Sequence, residues 1–341
     1  MHCHARQVTQ QIGALQEAEQ PNTFGFEPSV PVARPIVPWA LRLAREVSLP
    51  LPGGGDTLGL WDALSRVATY DLTAARALEP HVDALSILDQ AGLSPADVGA
   101  SEHSTWGVYA AEGPAGRLSA YPDNGGWVVD GIKPWCSLAG QVSHALVTAW
   151  VDDSTRRLFA VSLSETQVLD VPWVSRGLTE IVSAPVRFEQ VRAYPIGEDG
   201  WYLRRPGFWW GAIGVAACWY GGAAGVAQRL RPRGGRDPDQ IALLHLGGAD
   251  AALYAAGCSL REAAAIVDDG SARDRDEVTA RRVRAIVRAV CDDVLGRVAR
   301  ATGPAPLTFE EEHARRVADL SVYICQDHAE RDLAALGAAL A

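Results

Sequence analysis

His2, Cys3 and His4 bring three metal-ligating side chains together at the start of the chain. The set could hold a stray metal ion, but a terminal position reads more simply as a frayed end. The other cysteines, Cys136, Cys218, Cys258, Cys291 and Cys325, are dispersed and form no C-x-x-C pair. Several lie in apolar runs such as VAACWYG, so they read as buried thiols of a reducing compartment. No motif supports a zinc site, a P-loop or Ser/His/Asp hydrolysis. Lys133 is the only lysine, and the remaining basic residues of the 31 are arginine. That bias fits a GC-rich genome and makes arginine runs poor evidence of a site. Lys133 itself is expected at a solvated hairpin position.

The 341 residues allow two or three domains. With 48% hydrophobic and 21% charged residues the composition is globular, which excludes wholesale disorder. A net charge of −10 argues against nucleic acid and anionic membrane surfaces as partners. The opening MHCHARQVTQQ has no apolar stretch of the kind a secretory signal needs, so the expected location is cytoplasmic. One uncharged segment, Phe208 to Ala227, is long enough to span a bilayer. Its five glycines and thin aliphatic content instead suit a helix buried in a bundle, where small residues let backbones or a flat cofactor approach.

Periodicity divides the chain into three. Residues 1–103 are expected to form an N-terminal helical domain after a Pro-rich start (Pro28, Pro31, Pro35, Pro38). Leu60, Leu64 and Val67 keep helical spacing, as do Leu72, Ala75, Leu78, Val82, Leu85 and Leu88. Pro80 should kink or split that second helix, and Gly92 should cap it. Residues 104–200 form the expected central antiparallel β domain, from the runs WGVYAAE, RLSAY, GWVVDG, HALVTAWV, RLFAVSL and VRFEQV. PDNGG at 122–126 and VDDST at 151–155 supply hairpin turns. Residues 201–341 return to helix as a C-terminal bundle. One long helix follows Asp239, and Ser271 with Asp274 could cap the next. That next helix carries the stripe Val283, Ile286, Val287, Val290, Val294 and Val298. A last helix over about 309–337 should turn Val317, Leu320, Ile324 and Leu333 inward. The fold class is therefore α+β and multidomain.

Three segments in order carry a resemblance. They are Gly107-x-x-x-x-Glu112-Gly113-Pro114-Ala115-Gly116, GGWVVDGIKPWCSLAG from Gly125 to Gly140, and SRGLTEIVSAPVRFEQVRAYPIG from Ser175 to Gly197. The glycine-rich PGFWWGAIGVAACWYGGAAGVA follows them. This arrangement resembles the acyl-CoA dehydrogenase superfamily of flavoproteins over about residues 60–265. The resemblance implies FAD, its isoalloxazine wedged between the β domain and the second bundle and sealed by the glycine-rich stretch. Trp135 matches the tryptophan that flanks the ring, and Ser137 the hydroxyl near flavin N5. Val108, Ala110 and Ala111 match the strand whose backbone faces the pyrimidine edge. From the residues alone, Trp135 reads as a β-domain core aromatic, and Ser137 equally as a turn serine. Ala111 stands where the family usually has a threonine, and Glu112 reads as structural.

The family reaction implied is α,β-dehydrogenation of an acyl thioester, in which a carboxylate takes the α-proton. No family base is recognisable, so the catalytic residues are unknown from the sequence. Glu310, Glu311, Glu312, His313, Asp327, His328 and Glu330 are the charged groups in the right region. EEEH and QDHAERD read most simply as solvated helix faces. The expected R-x-x-F-G segment is replaced by RLRPRGGRDPDQ, in which Arg229 or Arg231 could meet a phosphate. The alternatives to a dehydrogenase are a reduced-flavin-dependent monooxygenase, with His313 or His328 near the ring, and an inactive subunit paired with an active homologue. Expected partners are an acyl thioester or related small molecule, an electron acceptor of unknown identity, and further copies of the chain in a homodimer or homotetramer.

Overall fold

A computed structural model describes residues 34–114, 116–232, 239–270 and 275–341. The His2/Cys3/His4 group, Pro28, Pro31, Ala115, positions 233–238 of the arginine segment and the Ser271/Asp274 cap lie outside the described residues. Three helices come first: α1 (Val37–Glu46), α2 (Thr57–Tyr70) and α3 (Leu72–Gln90). Asp56 and Asp71 cap α2 and α3 through their side chains. Pro80 lies inside α3, yet the helix runs unbroken. Proline has no N–H, so the Arg76 carbonyl four residues earlier loses its helical donor while the fold of the helix persists. Gly92 takes φ +70° just past the end, as a C-terminal glycine should.

Seven strands follow: β1 (Trp106–Tyr109), β2 (Leu118–Asp123), β3 (Gly126–Ser137), β4 (His144–Trp150), β5 (Arg156–Ser162), β6 (Gln167–Val168) and β7 (Ser183–Ile196). The order β1-β4-β2-β3-β7-β5 closes on itself because β4 also pairs with β5, giving a small barrel with β6 on β7. The β2–β3 turn has φ +43° at Asn124 and +83° at Gly125, the two positive values that a primed hairpin turn requires. The sheet is not wholly antiparallel. β1 pairs with β4 in parallel, and β2 touches β4 in parallel at Ser119 and Trp150. The intervening β2–β3 hairpin supplies the crossover length that parallel neighbours need.

The last part contains α4 (Trp201–Arg204), α5 (Gly207–Ala227), α6 (Gln240–Asp269), α7 (Asp276–Thr302), α8 (Ala305–Phe309), α9 (Glu311–Tyr323) and α10 (Glu330–Leu340). The glycine-rich α5 is largely buried, and its glycines face other helices. A Cβ on Gly221 would stand 2.1 Å from the Ser65 carbonyl oxygen, and one on Gly225 2.9 Å from that of Thr69. The Ser65 hydroxyl donates to the Ala217 carbonyl at 3.0 Å across the same seam. The small residues thus serve helix–helix contact, and Gly221→Ala should cost about 1–3 kcal/mol of stability, read as a lower urea midpoint.

The described helix that is long and apolar enough to cross a membrane by length and composition is α6, not α5. Its exposed residues include Ile241, Leu243, Leu244 and Tyr254. The single helix expected over 309–337 is two. It breaks at Asp327–Ala329, where Ala329 has φ +47°, and Leu333 ends 54% exposed rather than inward. No glycine or proline marks that break in the sequence.

A strap joins the sheet to the helices. In the β6–β7 connection the Leu178 N–H donates to Asp319 Oδ1 of α9 at 2.6 Å, and the Thr73 hydroxyl donates to Oδ2 at 3.1 Å. Asp319 also meets Arg315 at 3.3 Å, and Arg315 meets the buried Asp71 at 2.8 Å. Gly177 lies so close to α9 that a Cβ there would be 2.0 Å from the Ala318 carbonyl oxygen.

Candidate functional site

β3 bulges between Lys133 and Cys136 against β7. Trp135 sits in the bulge with φ +58°, a strained value for a bulky residue, and its side chain is 58% exposed. It is therefore no core aromatic. Val108 and Ala110 are half-buried, and Ala111 is exposed. Gly113 lies under the indole Nε1. Trp135 with Gly113 forms a small exposed platform on the sheet, and Val108 lines the space beside Ser137.

Behind the platform the expected crevice is closed. Ser137 accepts from Arg76 Nη2 at 3.2 Å and shares a 2.8 Å hydrogen bond with the Ser183 hydroxyl. The Tyr109 hydroxyl donates to the Ser137 carbonyl at 3.1 Å. The space left between α3 and the strands, lined by Arg76, Val108, Tyr109, Ser137 and Leu138, is ≈ 10 Å³, about what one water needs. So Val108 and Ser137 come together, but no open slot lies between them. The wall facing Ser137 is α3 through Arg76, and not the glycine-rich helix, whose small residues are used against α2 and α9.

Lys133 is not solvated. It is fully buried, and its ammonium donates to Glu112 Oε1 at 2.6 Å, the Thr148 carbonyl at 2.8 Å and the Thr148 hydroxyl at 2.9 Å. Burial pulls its pKa down and Glu112 pushes it back up. Burial raises Glu112, yet the hydrogen bond from Lys133 and its charge outweigh this and hold the carboxyl below its ordinary range. Glu112 is structural, as the sequence suggests. Amine acylation of the folded protein should spare Lys133 and reach it only after denaturation, a difference that peptide mass spectrometry reads directly.

Two cavities gather most of the charged groups singled out from the sequence. One, ≈ 270 Å³, is lined by Glu310, Glu311, Glu312, His313, Arg229 and Arg316 among others. Arg229 is held there by Glu310 in a two-pronged pair, both contacts at 2.8 Å, so its fork faces a carboxylate rather than a phosphate. Arg316 is paired with Glu312 at 2.7 Å.

The other cavity, ≈ 340 Å³, lies between the starts of α5 and α7 and the α9–α10 break. Phe208, Trp209, Arg281, Arg284, Asp327, His328 and Asp332 line it. QDHAERD is largely solvated, with Gln326, His328, Glu330 and Arg331 exposed, but the Asp327 side chain is 5% exposed and stands 3.6 Å from Arg284. Burial raises Asp327 above the usual carboxylate range, Arg284 opposes this and Asp332 reinforces it. Asp332 is penalised by burial too, but the His328 N–H and Asp327 outweigh that and hold it low. Two carboxylates pushed apart in this way mark the upper one as a group able to exchange a proton. His328 lines the same cavity, whereas Glu330 lines neither.

Between the two half-sites the interior is filled. Arg284 lies 4.5 Å over the Trp219 ring, Trp219 meets Tyr323 edge-on at 6.2 Å, and Arg76 lies 5.6 Å over Tyr323. Glu79, buried on α3, is pushed up to about 7 by burial, with Arg76 and Arg284 pulling it down. Arg76, Glu79, Arg284 and Asp332 are the site residues that sequence reasoning missed. The arginines are hidden among the thirty in the chain. Glu79 carried one signal, a carboxylate in an apolar helix just before a proline.

No family model matches the chain, and no curated protein matches it. Solved structures do. Butyryl-CoA dehydrogenase from Megasphaera elsdenii is 18% identical over 90% of each chain, with a TM-score of 0.74. The dibenzothiophene monooxygenase TdsC of Paenibacillus sp. A11-2, solved with FMN and indole, is 18% identical over 83% of each chain, with a TM-score of 0.70. Nitrososynthase from Micromonospora carbonacea var. africana is 19% identical, covers 89% of this chain and 86% of its own, and has a TM-score of 0.70. The chain has the acyl-CoA dehydrogenase fold.

Proposed function

We propose that this chain of acyl-CoA dehydrogenase fold is a flavin-dependent oxidoreductase acting on an acyl thioester or a related small acyl compound, with Asp327 as the proton acceptor for a substrate that displaces part of the packed Arg284–Trp219–Tyr323–Arg76 run separating it from Trp135. The observation that carries the reading is Asp327 itself, a nearly enclosed carboxylate raised by burial at the wall of a ≈ 340 Å³ cavity. A proton acceptor must be within reach of the carbon it deprotonates and must be ionised when it acts, and burial raises its affinity for the proton it takes. Arg284 fixes the carboxylate, and the Ala329 N–H donates to its Oδ2 at 3.2 Å. Trp209 and Phe208 offer the cavity an apolar wall.

A flavin at Trp135 would need the space beside Ser137, ≈ 10 Å³ here, to open. A strained, exposed indole beside half-buried strand backbone suits a planar ring. Trp135, Val108, Ala110 and Ala111 would hold it. Ser137 would join them once Arg76 leaves its hydroxyl, a movement open to a long flexible side chain. The cofactor proposed is FAD, the form that the family resemblance implies; the TdsC structures of the same fold hold FMN. Bound flavin would supply the two-electron acceptor. Assembly through exposed Ile241, Leu244 and Tyr254 into a homodimer or homotetramer, and a three-domain division at 103 and 200, belong to the same proposal.

The test is anaerobic mixing of the flavin-loaded protein with acyl-CoA compounds of graded chain length. Bleaching with at least one of them is expected, and no bleaching with any of them overturns the dehydrogenase reading. A second reading, a redox-silent subunit of a larger flavoprotein, is favoured by one observation: the closed space behind Ser137. Its mark would be a colourless chain that takes up no flavin on soaking.

A further inference from the structure

The ≈ 340 Å³ cavity beside Asp327 has two unlike walls. The α9–α10 break gives it carboxylates, and the start of α5 gives it Phe208, Trp209 and Ala212. Both arginines on its lining are already answered. Arg284 meets Asp327 at 3.6 Å, donates to the Ala212 carbonyl at 3.0 Å and lies on the Trp219 ring. Arg281 donates to Glu277 at 2.8 Å, stands 3.9 Å from Asp332 and lies 4.9 Å over the Trp209 ring. An anionic group entering here would meet two carboxylates and arginines already paired, so the body of a ligand is uncharged. The aromatic wall is also held in place. Phe208 packs edge-on against Trp209 at 5.2 Å and against Tyr202 at 5.6 Å, and the Arg284 bond to Ala212 ties α7 to α5 beside them. Neither Phe208 nor Trp209 is fully buried, which leaves apolar ring surface to the cavity.

We infer that this cavity selects an acyl compound bearing a planar aromatic group, of the 3-arylpropanoyl type, over one bearing a straight alkyl chain. The inference rests on the reading of the cavity as the substrate site and deepens it. A 3-arylpropanoyl group carries hydrogens on both carbons that an α,β-dehydrogenation uses, which a shorter arylacetyl group does not. An apolar cavity of about 150 Å³ takes up one benzene ring, so ≈ 340 Å³ has room for a ring and a three-carbon arm. Fixed ring edges and faces reward a further ring beyond the apolar area it buries. A straight chain must freeze its rotors to lie against the same wall, whereas an aromatic ring has none to freeze. Ala212 and Ala285 keep open the space that a larger side chain on either helix would fill.

The test is calorimetric titration of the full chain with two neutral amides of equal carbon number, 3-phenylpropanamide and nonanamide. Both report on the cavity walls without any bound flavin. Apolar area alone favours nonanamide. The wild type should instead bind 3-phenylpropanamide about tenfold more tightly, from ring contacts and the rotors left unfrozen. Trp209→Leu should cancel that preference, and Ala285→Leu should weaken the phenyl amide about tenfold or more by filling the cavity. Nonanamide binding the wild type as tightly as the phenyl amide, or more tightly, overturns the inference and leaves the Asp327 reading standing. Binding of neither amide, or binding that Ala285→Leu does not alter, overturns the cavity as a substrate site and the inference with it. If Trp209→Leu does not fold, the wild-type ratio still decides.

Discussion

Asp327→Asn is expected to lower turnover of an acyl thioester by about 10²–10⁴-fold while leaving substrate binding nearly unchanged. Asparagine keeps the shape and still accepts from the Ala329 N–H, whose contact with Asp327 is 3.2 Å. It cannot take a proton. In the wild type the rate should rise with pH as Asp327 ionises, with its midpoint above the ordinary aspartate value, because burial holds the carboxyl up. The linkage sign predicts the stability effect as well. A carboxyl raised in the folded state is favoured when protonated, so its contribution to stability is present at low pH and falls as pH rises through the raised value. The neutral variant should therefore melt no lower than the wild type near neutral pH. Steady-state rates against pH and a thermal melt check both halves. Turnover within tenfold of the wild type would remove Asp327 from the chemistry.

Asp319→Ala is expected to destabilise the protein by about 3–5 kcal/mol, the cost of removing one partner from a buried ionic group. Asp319 is 1% exposed and accepts from the Leu178 N–H at 2.6 Å and the Thr73 hydroxyl at 3.1 Å. Truncation strands both donors and leaves Arg315 with Asp71 as its remaining partner here. The sheet-to-helix strap at 175–181 then loses its anchor on α9. Asp319→Asn retains an acceptor for Leu178 and should cost less. Urea midpoints of the three proteins at equal pH measure the order. A loss under 1 kcal/mol for the alanine variant would show that the strap is held by packing alone.

Much of the architecture is legible in the sequence because it rests on local periodicity. Alternation in HALVTAWV and RLFAVSL gives β4 and β5, and PDNGG gives the turn at Asn124 and Gly125. The apolar stripe from Leu72 to Leu88 gives α3. Features set by distant contacts are not legible. The parallel pairing of β1 with β4 depends on where the barrel closes. The break at Asp327–Ala329 has no glycine or proline to announce it, yet it is what turns a solvated-looking acidic tract into a cavity wall. Lys133 looked like a surface residue because its partners, Glu112 and Thr148, are 21 and 15 positions away in the chain.

The candidate site shows the same division. The bulge that exposes Trp135 lies within a recognisable motif, so the residue was found, but its solvent-facing position follows from a register shift against β7. The glycine-rich composition of α5 suggests a seal for a flat ring. Its glycines instead admit the carbonyls of Ser65 and Thr69, and the space beside Ser137 is closed by an arginine from α3. Composition identified a close approach but not what approaches.

The most direct measurement is the visible spectrum of the freshly purified full chain, before and after soaking with FAD and gel filtration, alongside Trp135→Ala. A yellow protein carrying about one flavin per chain after soaking, with Trp135→Ala retaining little, is the predicted result. A folded chain that stays colourless after soaking, or a Trp135→Ala variant that holds flavin as well as the wild type, would contradict the claim that this platform seats a redox ring.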